Sequence, residues 1–122
     1  MPKKKILLVD DEKDLVYAVR LELEAKDFEV LVAYDGREAL DKARQEKPDL
    51  IILDVMLPKL DGYKVCRILK FDEKYKHIPI IMFTAMSQEA DKQISKEVGA
   101  DAYITKPFEP RVLLDKIKEH LE

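Results

Sequence analysis

The sequence predicts a single doubly wound α/β domain over residues 1–122: a five-stranded parallel sheet of order 2-1-3-4-5 covered on both faces by five helices. Three observations predict it. Short apolar runs alternate with segments of helical period from one end of the chain to the other, the pattern of repeated βα units. The runs are almost continuous in Val, Ile and Leu, as strands buried on both faces require. A chain of 122 residues is long enough for one core and too short for two.

The first run, Ile6-Leu7-Leu8-Val9, passes into Asp10-Asp11. A helix over about 13 to 26 follows, with Leu15, Ala18, Val19 and Leu23 inward and Tyr17 and Arg20 outward. It ends in Lys26-Asp27-Phe28, where Asp27 must take the left-handed conformation, which Asp tolerates better than most residues. The second strand, Val30 to Ala33, leads into Tyr34-Asp35, and a helix over 36 to 46 buries Ala39, Leu40 and Ala43. Pro48 precedes the third strand, Leu50-Ile51-Ile52-Leu53, which finishes on Asp54. Asp61-Gly62 opens a helix whose inner face is Val65, Cys66 and Leu69. Pro79 precedes Ile80-Ile81-Met82-Phe83, which ends at Thr84. The next helix, about 87 to 98, has only the thin stripe Ala90, Ile94 and Val98, so it should be the loosest; Gly99 closes it as a C′ residue. The last strand, Ala102-Tyr103-Ile104-Thr105, runs into Lys106-Pro107. The final helix, about 109 to 121, buries Leu113, Leu114, Ile117 and Leu121 and points Val112 the opposite way.

Composition narrows the function. Charged residues make up 39% of the chain and the net charge is -3 with both signs interspersed, so no field exists to hold a nucleic-acid backbone. Lys3-Lys4-Lys5 reads as a solvated lead-in to the first strand. One cysteine, Cys66, forbids an internal disulfide and sits at a core position. No apolar stretch reaches the length of a signal sequence or membrane span, so a cytoplasmic location without a membrane partner is expected. Gly36, Gly62 and Gly99 lie too far apart to make a phosphate-cradling loop, which argues against nucleotide binding. No linker or repeat is visible, and the length favours a stand-alone domain.

A strand buried on both faces has little reason to end on a charge, because desolvating a carboxylate is costly. Here four strands end in polar chemistry, and in the order 2-1-3-4-5 Asp10, Asp11, Asp54, Thr84 and Lys106 line one crevice, with Asp35 displaced to the edge. Three carboxylates together must either take up protons or be neutralised by a hard cation, for which Mg²⁺ is the natural candidate. Lys106 and the Thr84 hydroxyl then supply the charge and donor that a phosphoryl group demands, and a carboxylate is a competent nucleophile toward phosphorus. Singly, each residue has a plainer role: Asp10-Asp11 as a helix cap, Asp54 as a loop cap, Thr84 as a helix opener, Lys106-Pro107 as a loop dipeptide. Their joint occurrence at one sheet edge favours the functional reading.

The segments Val9-Asp10-Asp11-Glu12, Leu53-Asp54-Val55-Met56-Leu57-Pro58 with Gly62, Thr84-Ala85, Gly99-Ala100-Asp101 and Tyr103-Ile104-Thr105-Lys106-Pro107-Phe108 resemble the CheY-like receiver domain of two-component response regulators, over essentially the whole chain. The resemblance implies a flavodoxin-like fold and a signalling switch rather than an enzyme, one that assists its own phosphorylation and dephosphorylation. It implies that Asp54 accepts a phosphoryl group from a sensor histidine kinase or phosphotransfer protein. Asp11 and Asp54 would bind Mg²⁺ directly, Asp10 largely through water, and Met56 through its backbone carbonyl. It further implies a cis Lys106-Pro107 peptide and a switch in which Thr84 moves inward and Tyr103 turns in behind it. The output surface would be the helix over 87 to 98, the last strand and the final helix, read by a downstream protein or an attached output domain.

Two departures carry expectations. Receivers attached to winged-helix DNA-binding domains commonly carry acids where Ala102 and Val112 stand here, so a salt-bridged dimer through that face should be weak. Ala102, Tyr103 and Val112 are expected instead to offer an apolar docking patch, the plainer alternative being that Val112 is simply a harmless exposed residue. The residues two beyond Asp54 and Thr84 are Met56 and Met86, neither able to orient water, so autodephosphorylation should be slow. A haloacid-dehalogenase-type phosphatase would want a second acid where Met56 stands, and a phosphorylation-independent binding module would not need the complete set of site residues.

Overall fold

A computed structural model of the chain describes residues 3–84, 93–94 and 96–121. Five strands, β1 (Lys5–Val9), β2 (Glu29–Ala33), β3 (Leu50–Asp54), β4 (Ile80–Thr84) and β5 (Ala102–Thr105), form one parallel sheet in the order β2-β1-β3-β4-β5, as predicted. Among the described residues the bounded helices are α1 (Lys13–Ala25), α2 (Gly36–Glu46), α3 (Gly62–Lys70) and α4 (Pro110–Leu121). The helix predicted over 87 to 98 falls largely outside them; residues 93, 94, 96 and 97 are helical, Ile94 is exposed and Val98 buried, and Ala90 and Met86 lie outside the described residues.

Side-chain alternation divides the core. Leu7, Val9, Ile51, Leu53, Ile80 and Met82 face α2 and α3, where they meet Leu40, Val65 and Cys66. Ile6, Leu8, Ile52, Ile81, Phe83 and Ile104 face α1 and α4, where they meet Val19, Leu23, Leu113 and Ile117. The register aligns the strand ends: Val9 pairs with Leu53, Asp54 with Phe83, and Thr84 with Thr105. Polar side chains that follow or end these strands are therefore delivered to one rim.

The inner stripe of α1 departs from expectation. Val16, Val19 and Leu23 are buried, Leu15 is half-buried and Ala18 is exposed. The larger Val16 takes the core position at i, i+3, i+7 spacing and rotates Ala18 out to line an apolar groove between α1 and α4. Positive φ occurs at Asp27, as expected, and at Gly99, but also at Lys47, which closes α2, and at Lys59 in the loop after β3. Cys66 is buried with its Sγ 3.6 Å from the Val98 carbonyl, and burial pushes its thiol up to about 12, so it is inert at neutral pH.

Candidate functional site

Asp10 emerges from β1, Asp54 ends β3, Thr84 ends β4 and Lys106 follows β5. All four positions lie at the carboxyl edge of the sheet, and Asp10, Asp54 and Thr84 are the only buried polar side chains among the described residues. One carboxylate oxygen each from Asp10, Asp11 and Asp54 lies within 4.8 Å of the others, and Asp11 is the exposed member. Lys106 reaches into this group. Its Nζ is 2.7 Å from Asp10 Oδ2, 3.5 Å from Glu12 Oε1 and 3.6 Å from Asp54 Oδ2. Asp35, by contrast, stays at the sheet edge, capping α2 through the Glu38 N–H and pairing with Lys59.

The backbone holds each group in place. Asp10 Oδ1 accepts from the Glu12 N–H at 2.9 Å, fixing the turn just ahead of α1 without capping the helix itself, while its other oxygen binds Lys106. Asp54 Oδ1 accepts from the Met56 N–H at 3.2 Å. The Lys106 N–H donates to the Thr84 carbonyl at 2.7 Å, a cis Lys106-Pro107 peptide follows, and Phe108 packs on Phe83 with ring centroids 4.8 Å apart. Two glycines seat the loop after β3. A Cβ on Gly62 would stand 2.0 Å from the Asp54 carbonyl oxygen, and one on Gly36 would stand 1.8 Å from that of Leu60.

The electrostatics follow from the geometry. Burial, then the neighbouring charge of Asp10, pushes the Asp54 carboxyl up to about 6, while Lys106 and the Met56 N–H pull it partly back. For Lys106 burial works to lower the pKa, but the hydrogen bond and charge of Asp10, with Asp54 and Glu12 behind it, outweigh burial and leave it above the ordinary lysine value. Three clustered carboxylates against one ammonium leave two negative charges uncompensated. A divalent cation of hard character matches that residue. Asp10, Asp11 and Asp54 are the residues that would hold such an ion, for which Mg²⁺, bound through oxygen ligands, fits the donor set, and one of the three is open to solvent.

Of the expected site residues, Asp10, Asp11, Asp54 and Lys106 have their side chains clustered, and Thr84 lies at the adjacent strand end with its carbonyl bonded to the Lys106 N–H. Met56 projects to solvent with 73% of its surface exposed, at the mouth of the crevice. The expected output residues divide. Tyr103 and Val112 line one shallow groove of about 440 Å³ with Pro107, Phe108, Glu109 and Lys116. Ala102, one residue along the strand from Tyr103, projects to the opposite face and packs with the α1–α4 side of the core. Glu12 was given no separate role by the sequence, although a glutamate at a helix N-cap, where Ser, Thr, Asp or Asn cap better, is a signal that its side chain is used elsewhere.

The chain is matched by the family model described as the response regulator receiver domain, over residues 6–118. It is 51% identical over 115 residues to the alkaline phosphatase synthesis transcriptional regulatory protein PhoP of Bacillus subtilis, a match covering 94% of this chain and 47% of that protein. The chain therefore spans about half the length of that curated relative. Among solved structures it is similar to the chemotaxis response regulator CheY4 of Vibrio cholerae, with a TM-score of 0.92, 37% identity, and coverage of 98% of this chain and 99% of that one. It is also similar to the receiver domain of the sensor histidine kinase PA1611 from Pseudomonas aeruginosa PAO1, described with a magnesium ion coordinated in the active site cleft. That likeness has a TM-score of 0.90 and 28% identity, and covers 98% of each chain.

Proposed function

The chain belongs to the response regulator receiver domain family of two-component systems, and we propose that Asp54 is the phosphoacceptor of its signalling switch. The observation that carries this reading is the buried Asp54 carboxylate, clustered with Asp10 and Asp11 and faced by Lys106 at 3.6 Å. A carboxylate oxygen of Asp54 attacks the phosphorus of a phosphohistidine, the P–N bond breaks, and the electron pair leaves with the imidazole. The product is an acyl phosphate on Asp54. Lys106 stands where it can hold a peripheral phosphoryl oxygen, and Thr84 supplies a hydroxyl from the neighbouring strand. Mg²⁺, held by Asp11 and Asp54, by Asp10 largely through water and by the Met56 carbonyl, would neutralise charge on the phosphoryl oxygens. Phosphorylation then draws Thr84 inward and lets Tyr103, half-buried against the α2–α3 side of the core, turn in behind it.

The partners proposed are a sensor histidine kinase or phosphotransfer protein on the input side, and on the output side a downstream protein or an output domain such as the remaining length of the PhoP relative would carry. Tyr103 and Val112 share the groove proposed for output docking, with Ala102 at its flank on the other sheet face. Among the described residues no helix is long and apolar enough to cross a membrane, and a cytoplasmic setting is proposed.

Incubation with Mg²⁺ and acetyl phosphate should add one phosphoryl mass increment to the chain. Asp54→Asn should abolish it and Asp35→Asn should keep it; equal labelling of the two variants overturns the assignment. With exposed Met56 at the crevice mouth, the phosphoryl group should persist. A variant carrying both Met56→Asn and Met86→Glu should lose it several-fold faster, and an unchanged half-life removes the methionines from the account.

A further inference from the structure

Glu12 occupies the N-cap of α1 in an extended conformation, φ -83° and ψ 101°, but its side chain makes no capping hydrogen bond. It reaches instead to Lys106, 94 residues away, bringing Oε1 to 3.5 Å from Nζ, with two thirds of the glutamate side chain exposed. The ammonium has three protons and three carboxylates around it: Asp10 at 2.7 Å, Glu12 at 3.5 Å and Asp54 at 3.6 Å. Asp10 and Glu12 compete with the Asp54 position for the same ammonium. Asp10 is fully buried and fixed by the Glu12 N–H, so its hold belongs to the architecture of the turn. Glu12 is solvated and adjustable, so its hold can be altered without opening the core.

We propose that Glu12 is a positioning residue for Lys106: it retains the ammonium on the Asp10 side of the crevice and thereby weakens the grip on a phosphoryl group at Asp54. The inference rests on Asp54 being the phosphoacceptor and adds a residue that sets how readily that site is occupied. Surface ion pairs are worth little, so the effect is a tuning one, about two- to five-fold in affinity at low salt and smaller at high salt.

The test is equilibrium binding of beryllofluoride, a phosphoryl mimic, to the full chain in Mg²⁺. Glu12→Gln keeps the length and removes the charge; it should tighten binding by about two- to five-fold. Glu12→Asp keeps the charge, is a better helix cap and is too short to reach Lys106, so it should tighten binding as well while raising the melting temperature. A role confined to helix stability would instead move the two variants in opposite directions and overturn the proposal. In a Lys106→Met background the effect of Glu12→Gln should vanish; if it persists, Glu12 acts through the general field of the site and the positioning role fails. Unchanged or weakened binding in both Glu12 variants also overturns it. Wild-type chain that binds no beryllofluoride at all contradicts the Asp54 assignment itself, and this inference with it.

Discussion

Lys106 and Lys70 sit at opposite ends of the sheet, nearly equally buried, with 15% and 11% of their side chains exposed, and each pairs with an aspartate. Their surroundings nonetheless differ in kind. Lys70 at the end of α3 donates to the Lys76 and Ile78 carbonyls and to Asp101 Oδ2, and the same carboxylate oxygen accepts from the Ile80 N–H. One cation meets one anion, neutral carbonyls complete the set, and the cluster ties α3 to the starts of β4 and β5. Lys106 meets three carboxylates and cannot neutralise them. Burial and ion pairing are therefore common to a fastening and to a site. What distinguishes the site is the charge left over, which a cation and a phosphoryl group can complete.

The contrast can be broken by removing each lysine in turn. Lys70→Met strands Asp101 and frees two carbonyls, and should cost about 2–3 kcal/mol in denaturant unfolding, with or without Mg²⁺. Lys106→Met should cost less, about 1–2 kcal/mol in chelator, and Mg²⁺ should restore most of it, because the cation takes over the missing positive charge. Equal responses of the two variants to Mg²⁺ would erase the distinction. The smallest effect has the opposite sign. Asp54→Asn relieves the buried, crowded carboxylate, so the variant should be more stable than wild type in chelator by roughly 1 kcal/mol or less and should lose much of its stabilisation by Mg²⁺. A destabilised Asp54→Asn chain would show that the leftover charge is already accommodated.

Much of this was legible in the chain. Strand ends were readable because apolar runs of four or five residues stop abruptly at Asp10, Asp54, Thr84 and Lys106, and the parallel order then forces those four into one crevice. Helix faces are legible to within a residue or two; periodicity does not separate Ala18 from Val16, because two overlapping apolar stripes run along α1 and only packing against β1 and β3 chooses between them. The pairings Glu12–Lys106 and Lys70–Asp101 were not legible, since charged residues 94 and 31 positions apart leave no periodic trace. Lys47 and Lys59 at positive φ escaped for a related reason: glycine or asparagine normally announces that conformation, and here neither does. Ala102 and Val112 stand out in the sequence as apolar residues where related receivers carry acids, but only pleating shows that Ala102 and Tyr103 point to opposite faces.

Thr84 and Thr105 face each other in register, and the next amide, that of Lys106, is bonded to the Thr84 carbonyl. The backbones from which the Thr84 hydroxyl and the Lys106 ammonium hang are therefore joined by a single crossbar. Tyr103 lies three residues upstream of Lys106 on the outermost strand, with Val112 across a shallow groove from it. Only one backbone rung thus separates the strand that carries Thr84, in the interior of the sheet, from the strand at its border.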